Sequence, residues 1–264
     1  MIIDIHTHCF PDELASRTIP FLAQKAKISA FLDGTVKELK KSMSQAGIDI
    51  SVLQPIATKP QQTIGVNKWA INAQDDNIIT FGTIHPDFPE WRNEIKMLKE
   101  AGIKGVKFHP EYQGFFVDDE KIFPIYETLF KEDFIIIFHA GVDLGFKEPY
   151  HCTPSRLKKV LDTFPGCMII AAHMGGYRYW NDVEKYLVGR NVYFDTSFSF
   201  NDLGALGMKT LIKSHGCNKI LFGSDSPWAD QSKEVSKIKS LNLSIEEINA
   251  ILGENAAQLL NLNI

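Results

Sequence analysis

The 264-residue chain is short of several things, and each shortage removes a class of function. Its four cysteines, Cys9, Cys152, Cys167 and Cys217, form no Cys-x-x-Cys pair, so neither a zinc knuckle nor a disulfide framework is expected. A reducing cytoplasm is the default setting for such usage. The longest apolar runs, such as Phe134 to Phe138 and Met168 to Ala172, are too short to cross a bilayer. The N-terminus has no basic start and places Asp4 and His6 where a secretory leader needs an apolar core. A formal net charge of −4 without a basic cluster argues against a nucleic-acid partner. No G-x-G-x-x-G and no G-x-x-x-x-G-K-[ST] is present, so no phosphate-cradling loop is expected. What remains is a soluble protein acting on a small-molecule substrate, and the sequence leaves a homo-oligomer open.

The composition supports a sizeable core, with 44% apolar and 23% charged residues. Ile2 to His8 alternates apolar and polar residues, as a strand with two different faces does. On that pattern Asp4, His6 and His8 share one face, and Ile3, Ile5 and Thr7 the other. Two imidazoles ~7 Å apart on one face of a strand can converge on a single ion. An isolated His-x-His is as often accidental as functional. The rest of the chain has to decide.

Further β-branched runs follow at Asp49–Gln54, Ile78–Ile84, Gly105–His109, Phe134–His139, Met168–His173, Asn191–Thr196 and Lys219–Ser224. Helical periods fill most of the gaps. Thr35 to Gly47 opens with a capping pattern, Thr35 and Glu38, and closes on a glycine. Pro154 opens another helix, Tyr179–Val188, Asp202–His215 and Ser232–Ser240 suggest three more, and Ser244 with Glu247 caps a last one. Eight strands alternating with helices over this length predict an α/β fold, a (β/α)8 TIM barrel forming a single domain over residues 1–264. A doubly wound open sheet is the competing fold, and the missing phosphate loop counts against it. Cys9–Gly34, with a helical stretch from Asp12 to about Lys25, is expected over the catalytic mouth as a lid or specificity loop.

The ionisable residues fall at the strand ends. His6 and His8 end the first strand, Lys107 and His109 the fourth, His139 the fifth and His173 the sixth, and Asp225 follows the eighth. Barrel enzymes carry their chemistry at that end of the strands. Counting back by twos puts Ile137 and Ile135 on the face of His139, Ala171 and Ile169 on that of His173, and Gly223 and Leu221 on that of Asp225. Small and branched residues of this kind suit a barrel interior. His85, Lys147, Tyr177 and Arg178 are read as loop or surface residues, and Asp195 and Ser197 as supporting partners of the site.

Together His6-Thr7-His8, Gly105 to Pro110, His139-Ala140-Gly141, His173-Met174-Gly175-Gly176 and Phe222 to Pro227 resemble the amidohydrolase superfamily. More narrowly, they resemble its amidohydrolase-related branch, amidohydrolase family 2, and Ile248 to Leu260 is similar to that branch's closing helix. The resemblance implies a metal-dependent (β/α)8 enzyme with His6, His8, His139 and Asp225 as ligands of one zinc ion. The alternative is a two-ion site, bridged by a carboxylated Lys107, in which His139 and His173 hold the second ion. Asp225 is then expected to move the proton of a metal-activated water and His173 to bond that water or an oxyanion, with Lys107 and His109 contacting substrate. The expected reaction is hydrolysis of a small amide, lactone or ester. A non-oxidative decarboxylase or hydratase of an aromatic or unsaturated carboxylic acid is the alternative on the same scaffold.

Overall fold

The computed structural model describes residues 1–262. Among these residues nine short strands follow one another in chain order around a ring, each parallel to its paired neighbour. They are β1 (Ile3–Thr7), β2 (Ile50–Leu53), β3 (Ile78–Thr80), β4 (Gly82–Thr83), β5 (Gly105–Phe108), β6 (Ile135–Phe138), β7 (Ile169–Ala171), β8 (Tyr193–Asp195) and β9 (Ile220–Leu221). The ring closes between its first and last strands, where the Ile5 amide donates to the Phe222 carbonyl and the Asp225 amide to the His6 carbonyl, each at 2.9 Å. The fold is a (β/α)8 barrel, and β3 with β4 fills a single barrel position. The expected continuous strand Ile78–Ile84 breaks at Phe81. Its amide still bonds the Leu53 carbonyl, but its ring covers Gly105, where a Cβ would lie 2.5 Å from the ring.

The surrounding helices are α1 (Asp12–Ala26), α2 (Val36–Ala46), α3 (Thr63–Ala73), α4 (Trp91–Glu100), α5 (Pro110–Gln113), α6 (Phe123–Lys131), α7 (Pro154–Thr163), α8 (Trp180–Tyr186), α9 (Phe200–His215), α10 (Gln231–Ser240), α11 (Ile245–Asn249) and α12 (Asn255–Leu259). Thr35 accepts from the Glu38 amide at 3.2 Å, and Ser244 with Glu247 forms the full reciprocal box ahead of α11. α3 has no counterpart in the sequence reading. Its buried residues are Thr63, Asn67 and Ala70 rather than an apolar stripe. Asn67 holds it in place through the Thr83 backbone, at 2.8 and 2.9 Å, and Glu94 at 2.7 Å. No helix of the described residues is long and apolar enough to cross a membrane.

Ile3, Ile5, Val52, Phe81, Ile135, Ile137, Ile170 and Leu221 form the interior of the barrel, and Ala256, Ala257, Leu259 and Leu260 plug its lower end. A larger cluster, including Leu53, Val106, Phe108, Phe138 and Phe194, lies between strands and helices. Two expected side-chain directions are corrected here. Asp4 does not share a face with His6 and His8, because Ser224 and Gln231 hold its carboxylate behind the strand. The pairing of β1 with β2 runs Asp4 to Ser51 and then Thr7 to Leu53, one residue longer on β1. That bulge resets the alternation, so the Ile5 and His6 side chains both reach the interior. In β7, Ile170 is inside while Ile169 and Ala171 join the outer cluster. His173 re-enters the mouth because it and Met174 adopt left-handed φ values of 60° and 54°.

Candidate metal centre

The ends of β1 and β9 bring three acceptor atoms together. His6 Nε2 lies 3.1 Å from His8 Nε2 and 3.5 Å from Asp225 Oδ1, which is 3.3 Å from His8 Nε2. The far ring nitrogens fix what these atoms can be. His6 Nδ1 meets Asp195 Oδ2 at 2.8 Å, and His8 Nδ1 meets the Gln54 carbonyl at 3.0 Å. Carbonyl and ionised carboxylate oxygens only accept, so both Nδ1 atoms carry the proton and both Nε2 atoms present lone pairs. Two lone pairs and a carboxylate oxygen facing one another suit a divalent cation. Burial pushes the His6 imidazole down to about 3, which keeps its Nε2 free of a second proton. Burial opposes ionisation of Asp195 and Asp225. The imidazoles that face them, His6 for the first and His8 with His6 for the second, outweigh it and hold both carboxyls below the usual range.

His139 stands one step away. His173 donates from Nδ1 to the Ser197 carbonyl at 3.0 Å, so its Nε2 accepts, and His139 Nδ1 donates to it at 3.0 Å. This leaves His139 Nε2 buried with a lone pair and without a hydrogen-bond partner, 3.9 Å from Asp143 Oδ2. His6, His8 and Asp225 therefore form one cluster, while His139 groups with His109 and Asp143. The orphaned nitrogen is the donor a fourth ligand would offer, and burial holds the ring's pKa well below that of free histidine. His173 has both nitrogens engaged, so it orients His139 and has no lone pair left for a second ion.

Lys107 is fully buried with Nζ 3.3 Å from His6 Nε2, and burial pulls its pKa down to about 8. It makes no ion pair with Asp4 or Asp195. His109 stacks on His139 with ring centroids 4.2 Å apart and reaches Asp143 through Nε2 at 3.2 Å. Sequence reasoning missed Asp143, in the loop after β6, Gln54, which uses its backbone carbonyl, and Tyr112, on the single-turn helix α5 with its ring edge-on to His109. His85 bonds only the Asp87 amide, at 3.1 Å, as a turn residue does. Asp195 and Ser197 do support the site, reaching His6 Nδ1 at 2.8 and 3.0 Å.

These groups line the floor of a cavity of about 140 Å³. Its walls are apolar or aromatic and include Phe10, Ile56, Tyr112, Val142, Phe198 and Trp228. Leu22, Ala26 and Ile28, from α1 and the turn after it, complete the enclosure where the sequence placed a lid.

A family model described as Amidohydrolase matches residues 3–262. The chain belongs to the amidohydrolase family. No curated protein matches this amidohydrolase. Among solved structures it is similar to a 5-carboxyvanillate decarboxylase from Sphingomonas paucimobilis, with 14% identity, a TM-score of 0.73 and 99% of each chain covered. A dihydroxybenzoic acid decarboxylase from Polaromonas, with bound manganese and 2-nitroresorcinol, is 16% identical with a TM-score of 0.76, covering 100% of this chain and 97% of that one. An uncharacterised TIM-barrel protein from Bordetella bronchiseptica is 18% identical with a TM-score of 0.77, covering 98% of each chain. At these identities the likeness shows the fold.

The comparisons correct the expected reaction. The similar structures described by a reaction are mostly decarboxylases, including those acting on 5-carboxyvanillate and 2,6-dihydroxybenzoate, so hydrolysis of an amide, lactone or ester is withdrawn. The reason is physical. Histidines and an aspartate at barrel strand ends describe an ion's seat and say nothing about the bond broken beside it. The family and its neighbours place the chain among enzymes, with a candidate His/Asp metal site.

Proposed function

We propose that this amidohydrolase is a metal-dependent, non-oxidative decarboxylase of an aromatic carboxylic acid. The observation that carries the reading is the division of its cavity, with a cationic and imidazole-lined floor under walls suited to a flat apolar ring. His6, His8, His139 and Asp225 would hold one divalent first-row ion, zinc on the nitrogen-rich donor set or manganese as in the Polaromonas neighbour. Bound there, the cation supplies a Lewis-acid anchor for the substrate carboxylate or a neighbouring hydroxyl oxygen.

Decarboxylation breaks the bond between the ring and its carboxylate, leaves the electron pair on the ring carbon, and needs one proton delivered there. Lys107 carries the N–H groups on the cavity floor that can hold the anion and give that proton, and His109, whose Nε2–H is turned to Asp143, offers its buried Nδ1 lone pair to a substrate hydroxyl. Asp143 steadies His109 from the loop after β6. Asp225 serves as ligand and as an acceptor for a hydroxyl proton of the substrate, and His173 orients His139. The apolar and aromatic walls lower the local polarity, which strengthens each of these interactions.

The test loads metal-free protein with zinc or manganese, confirms the ion content by elemental analysis, and supplies a panel of hydroxybenzoates and other arenecarboxylates. The expected result is CO2 release matched by the decarboxylated arene, with one ion per chain and no activity after chelation. Protein carrying one ion per chain that releases CO2 from no member of the panel refutes the reading. Two ions per chain would refute the single-ion site.

A further inference from the structure

Beside the catalytic cavity lies a second hollow of about 410 Å³, bounded by residues 29–31, 198–201 and 228–237. Phe198 and Trp228 line both spaces and stand between them. Each is tied to the site. Trp228 follows Asp225 by one turn and donates its amide to the Asp225 carbonyl at 2.9 Å. Phe198 is pinned from both sides. The Ser197 amide bonds Asp195 Oδ1 at 3.1 Å, and Ser199 Oγ donates to the Ser197 carbonyl at 2.9 Å.

Between these anchors Phe198 has a left-handed φ of 54°, which a bulky side chain rarely adopts. A glycine would meet that backbone geometry without strain, yet the chain places a phenyl ring there, edge-on to Tyr177 with centroids 5.6 Å apart. Strain held by pinned neighbours at the wall of a site points to a use for the side chain rather than for the backbone.

We propose that Phe198, backed by Trp228, is a specificity-determining partition that limits how far a substrate can extend from the metal floor. The hollow behind it takes the distal aryl group of a longer arenecarboxylate only when the partition gives way. Phe31 and Phe200 offer that ring aromatic contact. The two lysines of the hollow are already matched, Lys233 with Asp230 at 3.6 Å and Lys237 with Glu234 at 2.6 Å, so the hollow has no unpaired charge with which to select an anion. The inference rests on the proposed function only for the end of the ligand that carries the carboxylate.

The experiment measures binding of benzoate and of biphenyl-4-carboxylate to the manganese-loaded protein by calorimetry, so that it needs no turnover. The unsubstituted protein should prefer benzoate by about tenfold or more, and Phe198→Gly, which suits the local backbone, should shift that ratio toward the biphenyl acid by at least about tenfold. Trp228→Ala opens the same wall from the other side and should shift the ratio in the same direction, whereas Phe198→Leu keeps it. A ratio unchanged in both Phe198→Gly and Trp228→Ala overturns the partition, as does equal binding of the two acids before any substitution. Protein that shows the shift yet releases CO2 from no arenecarboxylate supports the partition while refuting the decarboxylase reading.

Discussion

Replacing Asp195 by asparagine tests how the metal centre is built, because it changes one proton and almost no volume. Asp195 is fully buried, with Oδ2 on His6 Nδ1 at 2.8 Å. Its Oδ1 accepts from the backbone amides of His173 and Ser197, each at 3.1 Å. In Asp195→Asn the amide oxygen stays with the two backbone donors, since turning it round would set N–H against N–H twice. The NH2 group then faces His6 Nδ1, which must become an acceptor and pass its proton to Nε2. That proton sits where the ion belongs.

Restoring the productive tautomer forfeits a hydrogen bond to a charged acceptor, worth about 1.5–3 kcal/mol. At about 1.4 kcal/mol per tenfold this predicts metal binding weakened by roughly 10- to 100-fold, the range typical of partners that orient a ligand. Metal-free protein titrated with zinc and with manganese against a chromophoric chelator gives the dissociation constants. The midpoint of thermal unfolding without metal checks that the barrel is intact. An affinity within about threefold of the unsubstituted protein would refute the argument that Asp195 sets the His6 tautomer.

Three further outcomes are expected. Lys107→Met removes a buried ammonium that has no carboxylate partner, so the metal-free protein should gain about 1–3 kcal/mol in denaturant unfolding while losing decarboxylation; a loss of stability would contradict this. Gly141→Ala would put a Cβ 2.2 Å from the Tyr177 amide nitrogen at a φ of +86°. That clash separates the loop after His139 from the loop carrying Tyr177 and should lower stability by about 3 kcal/mol or more, and a change under about 1 kcal/mol would show the loops are not coupled. Glu111 is buried against the His151 amide, and burial raises its pKa from 4.5 to about 7. The folded chain therefore keeps a proton that the unfolded chain releases, so this group's contribution is complete below pH 4.5 and is lost as the pH rises through 7. Between pH 5 and 8, unfolding free energies of Glu111→Gln should fall less than those of the unsubstituted protein, and parallel curves would exclude the role.

The parts of the site that could be read from the sequence are those placed by strand periodicity. His6, His8, Lys107, His109, His139, His173 and Asp225 each stand at or just past a strand end, and each lines the cavity. Where periodicity breaks, the reading failed. The bulge in β1 turned Asp4 away, and in β7 it is Ile170 that faces inward, so that His173 reaches the mouth only through the left-handed backbone after the strand. α3 escaped notice because its inward residues are polar or small and are held by Asn67 rather than by an apolar stripe. Asp143 lies in a loop, where no period marks a side chain as facing a site.

The sequence alone determined the barrel, the ends of its strands and the chemical kinds of group collected there, because side-chain alternation and helical period are local properties of the chain. Tertiary structure decided which lone pairs face each other. The protons on His6, His8, His139 and His173 are directed by Asp195, by the Gln54 carbonyl, by one another and by the Ser197 carbonyl, and His8 is 46 residues from its partner while His6 is 189 from its own. It also decided the cavity's shape, since Phe10, Val142, Phe198 and Trp228 from separate loops and Leu22 from α1 meet only once the ring closes. Local pattern specifies which groups reach the mouth of a barrel, while tautomer, enclosure and substrate length depend on contacts between residues far apart in the chain.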